Sequence, residues 1–522
     1  MSTVEQPRNL ASQGVVVASM TLLSRITGLV RDVFFAYLFG ASHYADMFLV
    51  AFRIPNVFRR MFAEGAFNQA FVPVMMRYKA EGQAALLGFL APLSGIFTAI
   101  LFLIVLLGVV FAEQLTALFA LGFSDQQISA TAQLLVLTFP YLGLISLTAY
   151  AGALLNAHDR FAIPAVTPVL LNIVLIGATL IALMGYSEAQ AVKILAYGVL
   201  VAGFVQLVFQ MPALGRLGLL VRPTLEWSHP GLARIGKLLL PALFASSVSQ
   251  INALVNTILA STLITGSISW LYYADRLLEL PVGLVAIALG TVMLPHLSRL
   301  ADEDDQETVH KTVGWGINIG IMLGLPAAVA LYLLSEGLIA TLYMSIGGGA
   351  MTNFDVRMAG FALEMFAIAL PGFVLIRVLS TAFYAYEDTK SPFHYATVAV
   401  AANLLVSLAT FSWAGHVGLA WATAISAWVN VVLLYRGLQR RRIYQLDGDL
   451  WRLLWRSLLA SIVLGAALFL LLGDVDWLAL TPDTRAWQIL LTCAVGAVGY
   501  ALVLLVLGVR PSDLNHYSVV GH

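Results

Sequence analysis

The sequence predicts an all-α, polytopic integral membrane protein with about fourteen transmembrane helices. Hydrophobic residues make up 60% of the 522 residues and charged residues only 11%, and the mean hydropathy is +0.88. A soluble domain needs more charged and polar residues to cover its surface. The apolar residues also recur in runs of roughly 20 residues, the length at which a helix crosses a hydrocarbon core of about 30 Å. These observations exclude a soluble protein.

Polar residues, glycines and prolines divide the chain into fourteen apolar segments. In chain order the predicted spans are 14–40, 44–72, 85–112, 129–156, 161–185, 190–213, 233–260, 267–298, 311–335, 357–386, 391–413, 416–437, 452–473 and 486–508. The polar start "MSTVEQPRNLASQG" leads into the first span, and no small-residue cleavage site followed by a polar mature domain comes after it. The first span is therefore predicted to stay in the protein.

The distribution of Lys and Arg predicts the orientation of the spans. With the N-terminus in the cytoplasm, 18 of the 28 basic residues fall in inner segments, and the outer loops hold only Lys193, Arg357 and Arg485. Cytoplasmic loops of membrane proteins collect Lys and Arg. An even number of spans and two cytoplasmic termini are therefore predicted.

Seven basic residues remain within spans or at their ends: Arg25, Arg31, Arg53, Arg59, Arg60, Arg276 and Arg377. An arginine near the midplane costs about 2.5–3.5 kcal/mol on insertion scales, so such residues usually face a bundle interior or a wet cavity. Two alternatives are snorkelling to the headgroups and ion pairing, with Asp32, Asp46, Glu64 and Glu279 as candidate acids. Arg25 and Arg31 would converge on one ligand only if their helix bent, and Gly28 is a candidate position for the bend.

An internal repeat divides the predicted spans into two sets of six. "YAD" occurs at 44–46 and 273–275, each followed by a proline within the span, and Pro164 corresponds to Pro392. The matching segments keep the same order and a nearly constant offset along the chain. Because six is even, the halves share an orientation. We predict an N-terminal lobe at 1–222, a C-terminal lobe at 223–438, and a basic linker, two extra helices and a tail at 439–522.

Three segments resemble the MurJ (MviN) lipid II flippases of bacterial peptidoglycan synthesis: "SRITGLVRD", "YADMFLVAFRIPNVFRRMFAEGAFNQAFVP" and "GSISWLYYADRLLELPVG". The resemblance covers essentially the whole chain. It implies the multidrug/oligosaccharidyl-lipid/polysaccharide exporter fold, with two pseudo-symmetric lobes around a cavity and an extra helix pair that forms a groove for a lipid tail. It also implies alternating-access transport of lipid II, an undecaprenyl pyrophosphate-linked glycopeptide, from the cytoplasmic to the outer leaflet of the bacterial cytoplasmic (inner) membrane.

The resemblance also implies a substrate site. Its motif positions fall on Arg25, Arg31 and Arg276 as ligands of the pyrophosphate. The full expected set of substrate-binding residues is Arg25, Arg31, Arg276, Asp46, Ser269, Arg59, Arg53 and Glu64. Guanidinium suits such a substrate because it is a planar, permanently charged donor that binds phosphate oxygens bidentately.

Other functions are weighed against this one. A flippase for another polyprenyl-linked glycan, such as an O-antigen unit, would also have a basic cavity, whereas an exporter of the multidrug and toxin extrusion (MATE) type should carry acidic groups there. An enzyme is not predicted. A polyprenyl-phosphate transferase would need clustered acids to hold magnesium on the diphosphate, and the only acidic run, "DEDD" at 302–305, lies in a predicted cytoplasmic loop. The nine histidines and the single Cys493 form no metal-binding pattern. No cofactor or nucleic-acid partner is predicted; lipid II, membrane lipids and other cell-wall synthesis proteins are the candidate partners.

Overall fold

The computed structural model describes residues 8–61, 67–303, 305–344, 348–446, 448–473 and 475–510. Within these ranges the chain forms seventeen α-helices and no β-strand. The predicted all-α fold class is confirmed. The chain divides into two compact units, and the boundary lies between Thr265 and Gly266.

The first unit contains ten helices: α1 (Arg8–Phe39), α2 (His43–Arg59), α3 (Phe67–Glu81), α4 (Gln83–Val110), α5 (Ala112–Phe119), α6 (Asp125–Thr138), α7 (Tyr141–Asn156), α8 (Ala162–Ala182), α9 (Glu188–Arg216) and α10 (Pro230–Ser261). A buried apolar cluster lies among α3, α4, α7 and the end of α9, and Ile235 joins it from α10. The seventh predicted span, α10, therefore packs within this unit. The predicted lobe boundary at 222/223 is defined by the sequence repeat and not by packing, so it stays a prediction.

The second unit contains seven helices: α11 (Ser267–Asp302), α12 (Gln306–Leu333), α13 (Ser335–Tyr343), α14 (Asn353–Ala385), α15 (Lys390–Arg440), α16 (Gly448–Leu472) and α17 (Pro482–Val506). The last two are the predicted extra pair. Leu464 of α16 and Leu504 of α17 share a buried cluster with Met322 of α12, and the Tyr500 hydroxyl donates to the Met322 carbonyl at 3.0 Å. Side-chain packing and such interhelical hydrogen bonds hold helices together in lipid.

Nine helical segments of the described chain are long and apolar enough to cross a membrane. One of them, α15, has 51 residues and is interrupted at Gly415 (φ 58°, ψ −137°), between the predicted eleventh and twelfth spans. With a helical rise of about 1.5 Å per residue, α15 is long enough for two crossings. The helices α1, α10 and α11 have 32, 32 and 36 residues and carry charged side chains. With α2 and α3 as the second span, these segments match the fourteen predicted ones.

The second predicted span, 44–72, includes residues of both α2 and α3. The helix α2 ends at Arg59, with Arg60 as its C-cap, and α3 begins at Phe67. The residues between Met61 and Phe67, including Glu64, lie outside the described ranges.

Loop geometry repeats between the two units. Asp159, between α7 and α8, and Glu387, between α14 and α15, both adopt left-handed backbone angles, with φ of 58° and 56°. Glu387 follows Asp159 at the same offset at which Pro392 follows Pro164. In both loops the next amide donates to the carbonyl five residues back, at 2.9 and 3.0 Å, as in a Schellman motif. The sequence repeat thus corresponds to a repeat of local structure.

Asp388 fixes the second of these loops. Its carboxylate accepts hydrogen bonds from the backbone amides of Lys390 and Ser391, both at 3.0 Å, and pairs with Arg441 at 2.7 Å. Burial by itself would raise the pKa of the Asp388 carboxyl, but the hydrogen bonds from Ser391, the charge of Arg441 and the Lys390 amide outweigh it and lower the pKa. The pair ties the loop to the end of α15.

Candidate functional site

Arg31 lies in a buried polar network on α1. Its side chain donates from Nε and Nη2 to Oδ1 of Asp32, at 2.9 and 2.6 Å, and from Nη1 to Oδ1 of Asn172 on α8, at 3.1 Å. The three residues are only 8%, 2% and 5% exposed. A charge so far removed from water is stable when it is paired and hydrogen-bonded. Asp32 was among the candidate acids in the sequence, and the structure pairs it with the adjacent Arg31.

Asn172 is a site residue that the sequence analysis missed. Its Nδ2 donates to the Ser24 carbonyl at 3.0 Å and to Thr27 Oγ1 at 3.1 Å, one turn before Arg31. A Cβ on Gly28 would lie 3.4 Å from that nitrogen. The helix α1 runs through Gly28 without interruption, so this glycine gives α8 room to approach. A lone asparagine in an apolar span was the available signal.

Other predicted residues of the first unit lie on α1 and α2. Arg25 is half-buried on α1, one and a half turns before Arg31, and Asp46 is buried near the start of α2. The Arg53 guanidinium donates to Thr257 Oγ1 on α10 at 2.7 Å. Arg59 donates from Nε to Asn56 Oδ1 at 3.1 Å, one turn earlier on the same helix. The pairing of Arg59 with Glu64 falls outside the described residues.

Arg59 lines a cavity of about 670 Å³ within the first unit. The helices α2, α3, α7, α8 and α9 supply its wall. Among the described lining residues Arg59 carries the charge, and the uncharged side chains with hydrogen-bonding groups are Tyr141, Thr148, Asn156, Thr167, Gln206 and Gln210. The volume is within the roughly 300–1,000 Å³ of small-molecule sites. The cavity is thus basic, polar on one part of its wall and apolar elsewhere.

Gln206 and Gln210 of α9 were also missed from the sequence. They are four residues apart, so they lie on one face of the helix. Gln206 donates from Nε2 to the Thr167 carbonyl on α8 at 2.7 Å. Two glutamines at helical spacing in an apolar span were a usable signal, because polar side chains in spans usually face protein or water.

The predicted residues of the second unit lie on α11. Ser269 is fully buried. Arg276 donates to Glu279 Oε2 at 3.0 Å and to the Tyr272 hydroxyl at 3.4 Å, and its guanidinium lies 5.1 Å from the centre of the Tyr272 ring. The i, i+3 pairing of Arg276 with Glu279 is confirmed. Both side chains remain partly exposed, with 32% and 44% of their surface accessible.

Across the described ranges, no group of three or more His, Cys, Asp or Glu side chains could hold a metal ion. The side chains described above offer guanidinium, hydroxyl and amide groups, which suit anionic and hydrogen-bonding ligands. The substrate-binding role stays a prediction for the residues expected from the sequence: Arg25, Arg31, Arg276, Asp46, Ser269, Arg59, Arg53 and Glu64.

Comparison with known proteins gives consistent similarities. A model of the family "Lipid II flippase MurJ" matches residues 35–479. The chain is 40% identical to a probable lipid II flippase MurJ of Vibrio cholerae serotype O1, over 99% of both chains. It is 36% identical to the lipid II flippase MurJ of Burkholderia cenocepacia, over 91% of both.

Solved structures resemble the chain in the same way. A lipid II flippase MurJ in an inward closed conformation superimposes with a TM-score of 0.79 at 26% identity, covering 97% of this chain and all of that one. An inward-facing multidrug resistance MATE transporter of the MOP superfamily superimposes with a TM-score of 0.66 at 15% identity, over 82% of this chain and 98% of that one. The second similarity shows the fold alone.

Proposed function

The chain belongs to the lipid II flippase MurJ family, and from this premise we propose that it transfers lipid II from the cytoplasmic to the outer leaflet of the bacterial cytoplasmic membrane. A flippase is a transporter, so no catalytic residue is assigned. The headgroup carries a charged pyrophosphate, sugars and a peptide, none of which can cross hydrocarbon unaided. Transport by alternating access, in which a cavity opens to each side in turn, meets this requirement.

The observation that carries the proposal is the position of Arg59 in the cavity wall. The cavity is lined at the end of α2, the start of α8 and the second half of α9, and along α7 from Tyr141 to its end. With the N-terminus in the cytoplasm, as the Lys and Arg distribution predicts, these helix ends all lie toward the cytoplasmic side. A basic cavity on the cytoplasmic side is suited to bind the pyrophosphate of lipid II from the cytoplasmic leaflet.

Arg25, Arg31 and Arg276 are proposed as further pyrophosphate ligands, and Asp46, Ser269, Arg53 and Glu64 as further substrate-binding residues. Asp32 and Asn172 orient the Arg31 guanidinium. A guanidinium held by its neighbours loses less rotamer entropy when it binds phosphate than a mobile one does.

The charge of the cavity argues against a cation exporter. Such a transporter needs carboxylates to bind its substrate, whereas Arg59 is the charged group that the described residues contribute to this wall. A flippase for another polyprenyl-linked glycan shares the need for a basic cavity, and family membership favours lipid II over it.

The test is complementation of host cells depleted of their own flippase, with polyprenyl-linked precursors measured in the cytoplasmic leaflet. Wild-type protein should clear accumulated lipid II. Arg59→Ala should fail to do so at normal protein abundance, and Arg59→Lys should recover part of the activity because it keeps the charge but not the bidentate donors. Arg60→Ala is the matched control, since the adjacent Arg60 side chain is exposed and should be dispensable.

Two outcomes would contradict the proposal. Full complementation by Arg59→Ala removes this cavity from the transport route. Accumulation of an O-antigen precursor while peptidoglycan synthesis continues normally would instead show that the substrate is a different polyprenyl-linked glycan.

A further inference from the structure

Two amide oxygens in the cavity lack hydrogen-bond partners. Gln206 and Gln210 both line the cavity and are 2% and 1% exposed. Within the part of the chain that the structure describes, neither Oε1 atom has a hydrogen-bond partner. A buried acceptor left unsatisfied costs about 1–3 kcal/mol, so two of them on one helical face indicate that something else supplies the donors.

The hydrogen bond of Gln206 fixes which of its atoms is available. Its Nε2 donates to the Thr167 carbonyl at 2.7 Å, and a carbonyl can only accept. The amide therefore cannot turn over without losing this bond, and Oε1 remains as the acceptor. A ligand at this position has to present an O–H or N–H group.

The wall beside Gln210 is open because Gly152 has no side chain. A Cβ on Gly152 would lie 3.7 Å from Gln210 Oε1 and 3.3 Å from Pro164 Cβ. A larger residue at 152 would fill the space next to the acceptor. The glycine thus leaves room for a ligand atom at hydrogen-bonding distance.

The internal repeat indicates that the fold does not require glutamine at position 210. Two pairs of positive-φ residues align the repeats on either side of this position: Asp159 with Glu387 in the loop after α7, and Gly218 with Arg442 beyond the end of α9. Counted from the first pair, Gln210 corresponds to Leu438, and counted from the second it corresponds to Leu434. Both leucines are fully buried. The second unit places an apolar side chain where the first places an amide.

We propose that Gln206 and Gln210 form an acceptor subsite for the uncharged hydroxyl and amide N–H groups of the lipid II headgroup. This inference rests on the proposed function and assigns different parts of the headgroup to different side chains. The arginines bind the pyrophosphate, and the two glutamines bind the sugar or peptide portion. Water occupies the acceptors when no substrate is bound and is displaced by the headgroup.

The experiment measures binding of three lipids to the purified full-length protein in nanodiscs: lipid II, the same lipid without its stem peptide, and undecaprenyl pyrophosphate. Gln210→Leu should weaken lipid II binding by about tenfold, the loss expected for one hydrogen bond, and leave undecaprenyl pyrophosphate binding within about twofold. Gln210→Met provides a second, unbranched replacement without an acceptor. Gln439→Met is the matched control, because Gln439 is exposed on α15.

The three lipids distinguish the possible results. If the loss persists without the stem peptide, the sugars supply the donors; if it disappears, the peptide does. Unchanged lipid II binding in both Gln210 variants would overturn the inference and leave water as the partner, with the proposed function intact. Failure of the wild-type protein to bind any of the three pyrophosphate lipids would instead contradict the proposed function itself.

Discussion

Replacing Arg31 tests whether its ion pair with Asp32 stabilises the protein. The Asp32 carboxylate is 2% exposed, and Oδ1 accepts from two nitrogens of Arg31. Arg31→Ala would leave this charge buried, and breaking such a pair typically costs about 3–5 kcal/mol. Asn172 would also lose the donor to its Oδ1. We expect the free energy of unfolding to fall by about that amount, and membrane abundance to fall with it.

A second substitution separates this effect from any role in transport. Asp32→Asn added to Arg31→Ala removes the buried carboxylate charge that had been paired with Arg31, so the double variant should recover most of the lost stability. The assay is denaturant unfolding of the purified protein in mixed micelles, together with complementation. Lys311→Ala is the control: its pair with Glu307 is 2.5 Å long but both side chains are mostly exposed, and such pairs contribute little to stability.

The reasoning is refuted if Arg31→Ala is as stable as wild type, or if Asp32→Asn does not restore it. A stable double variant then reports on function alone. If it is inactive, Arg31 has a role in the substrate site beyond stability. If it complements fully, Arg31 does not bind the pyrophosphate.

Three further predictions concern loops and a kink. Asp388 has a lowered pKa in the folded protein. Its contribution to stability is therefore full above the pKa of the unfolded state and is lost as pH falls through the lower pKa of the folded state. The unfolding temperatures of Asp388→Asn and wild type should differ at pH 7 and converge in acid. Arg442 has φ of 60°, so Arg442→Gly should raise the unfolding free energy by about 1–2 kcal/mol and Arg442→Ala should change transport little; loss of transport at normal abundance in either variant would contradict this. Gly415→Ala should cost about 1–3 kcal/mol because its angles suit glycine alone, while Gly499→Ala, which meets open space, should not destabilise; equal abundance of the two variants would count against the assigned kink.

Much of the fold could be predicted because its determinants are local. Each span is an apolar run of sufficient length, and each connection is marked by charge, glycine or proline, so the fourteen segments follow from composition along the chain. The left-handed residue between the predicted eleventh and twelfth spans, Gly415, coincides with a gap already visible in the sequence.

The candidate site was predicted in part. The arginines were identified because a charge in an apolar run is conspicuous, and the pairing of Arg276 with Glu279 followed from their i, i+3 spacing. Asn172, Gln206 and Gln210 were missed, since an uncharged polar residue in a span is less conspicuous than an arginine. Glu64 lies outside the described residues, and its role stays a prediction.

The sequence by itself determined the membrane class, the spans and the family, and it predicts the orientation and the internal repeat. All of these depend on the order of residue types along one chain. The tertiary structure decided the partners: Asn172, 141 residues from Arg31, binds its guanidinium, and Gln206 and Gln210 face a cavity. In a membrane both lipid and neighbouring helices are apolar, so hydrophobic periodicity cannot tell which face of a helix meets which. Only the register between packed helices fixes that choice, and with it the chemistry of the site.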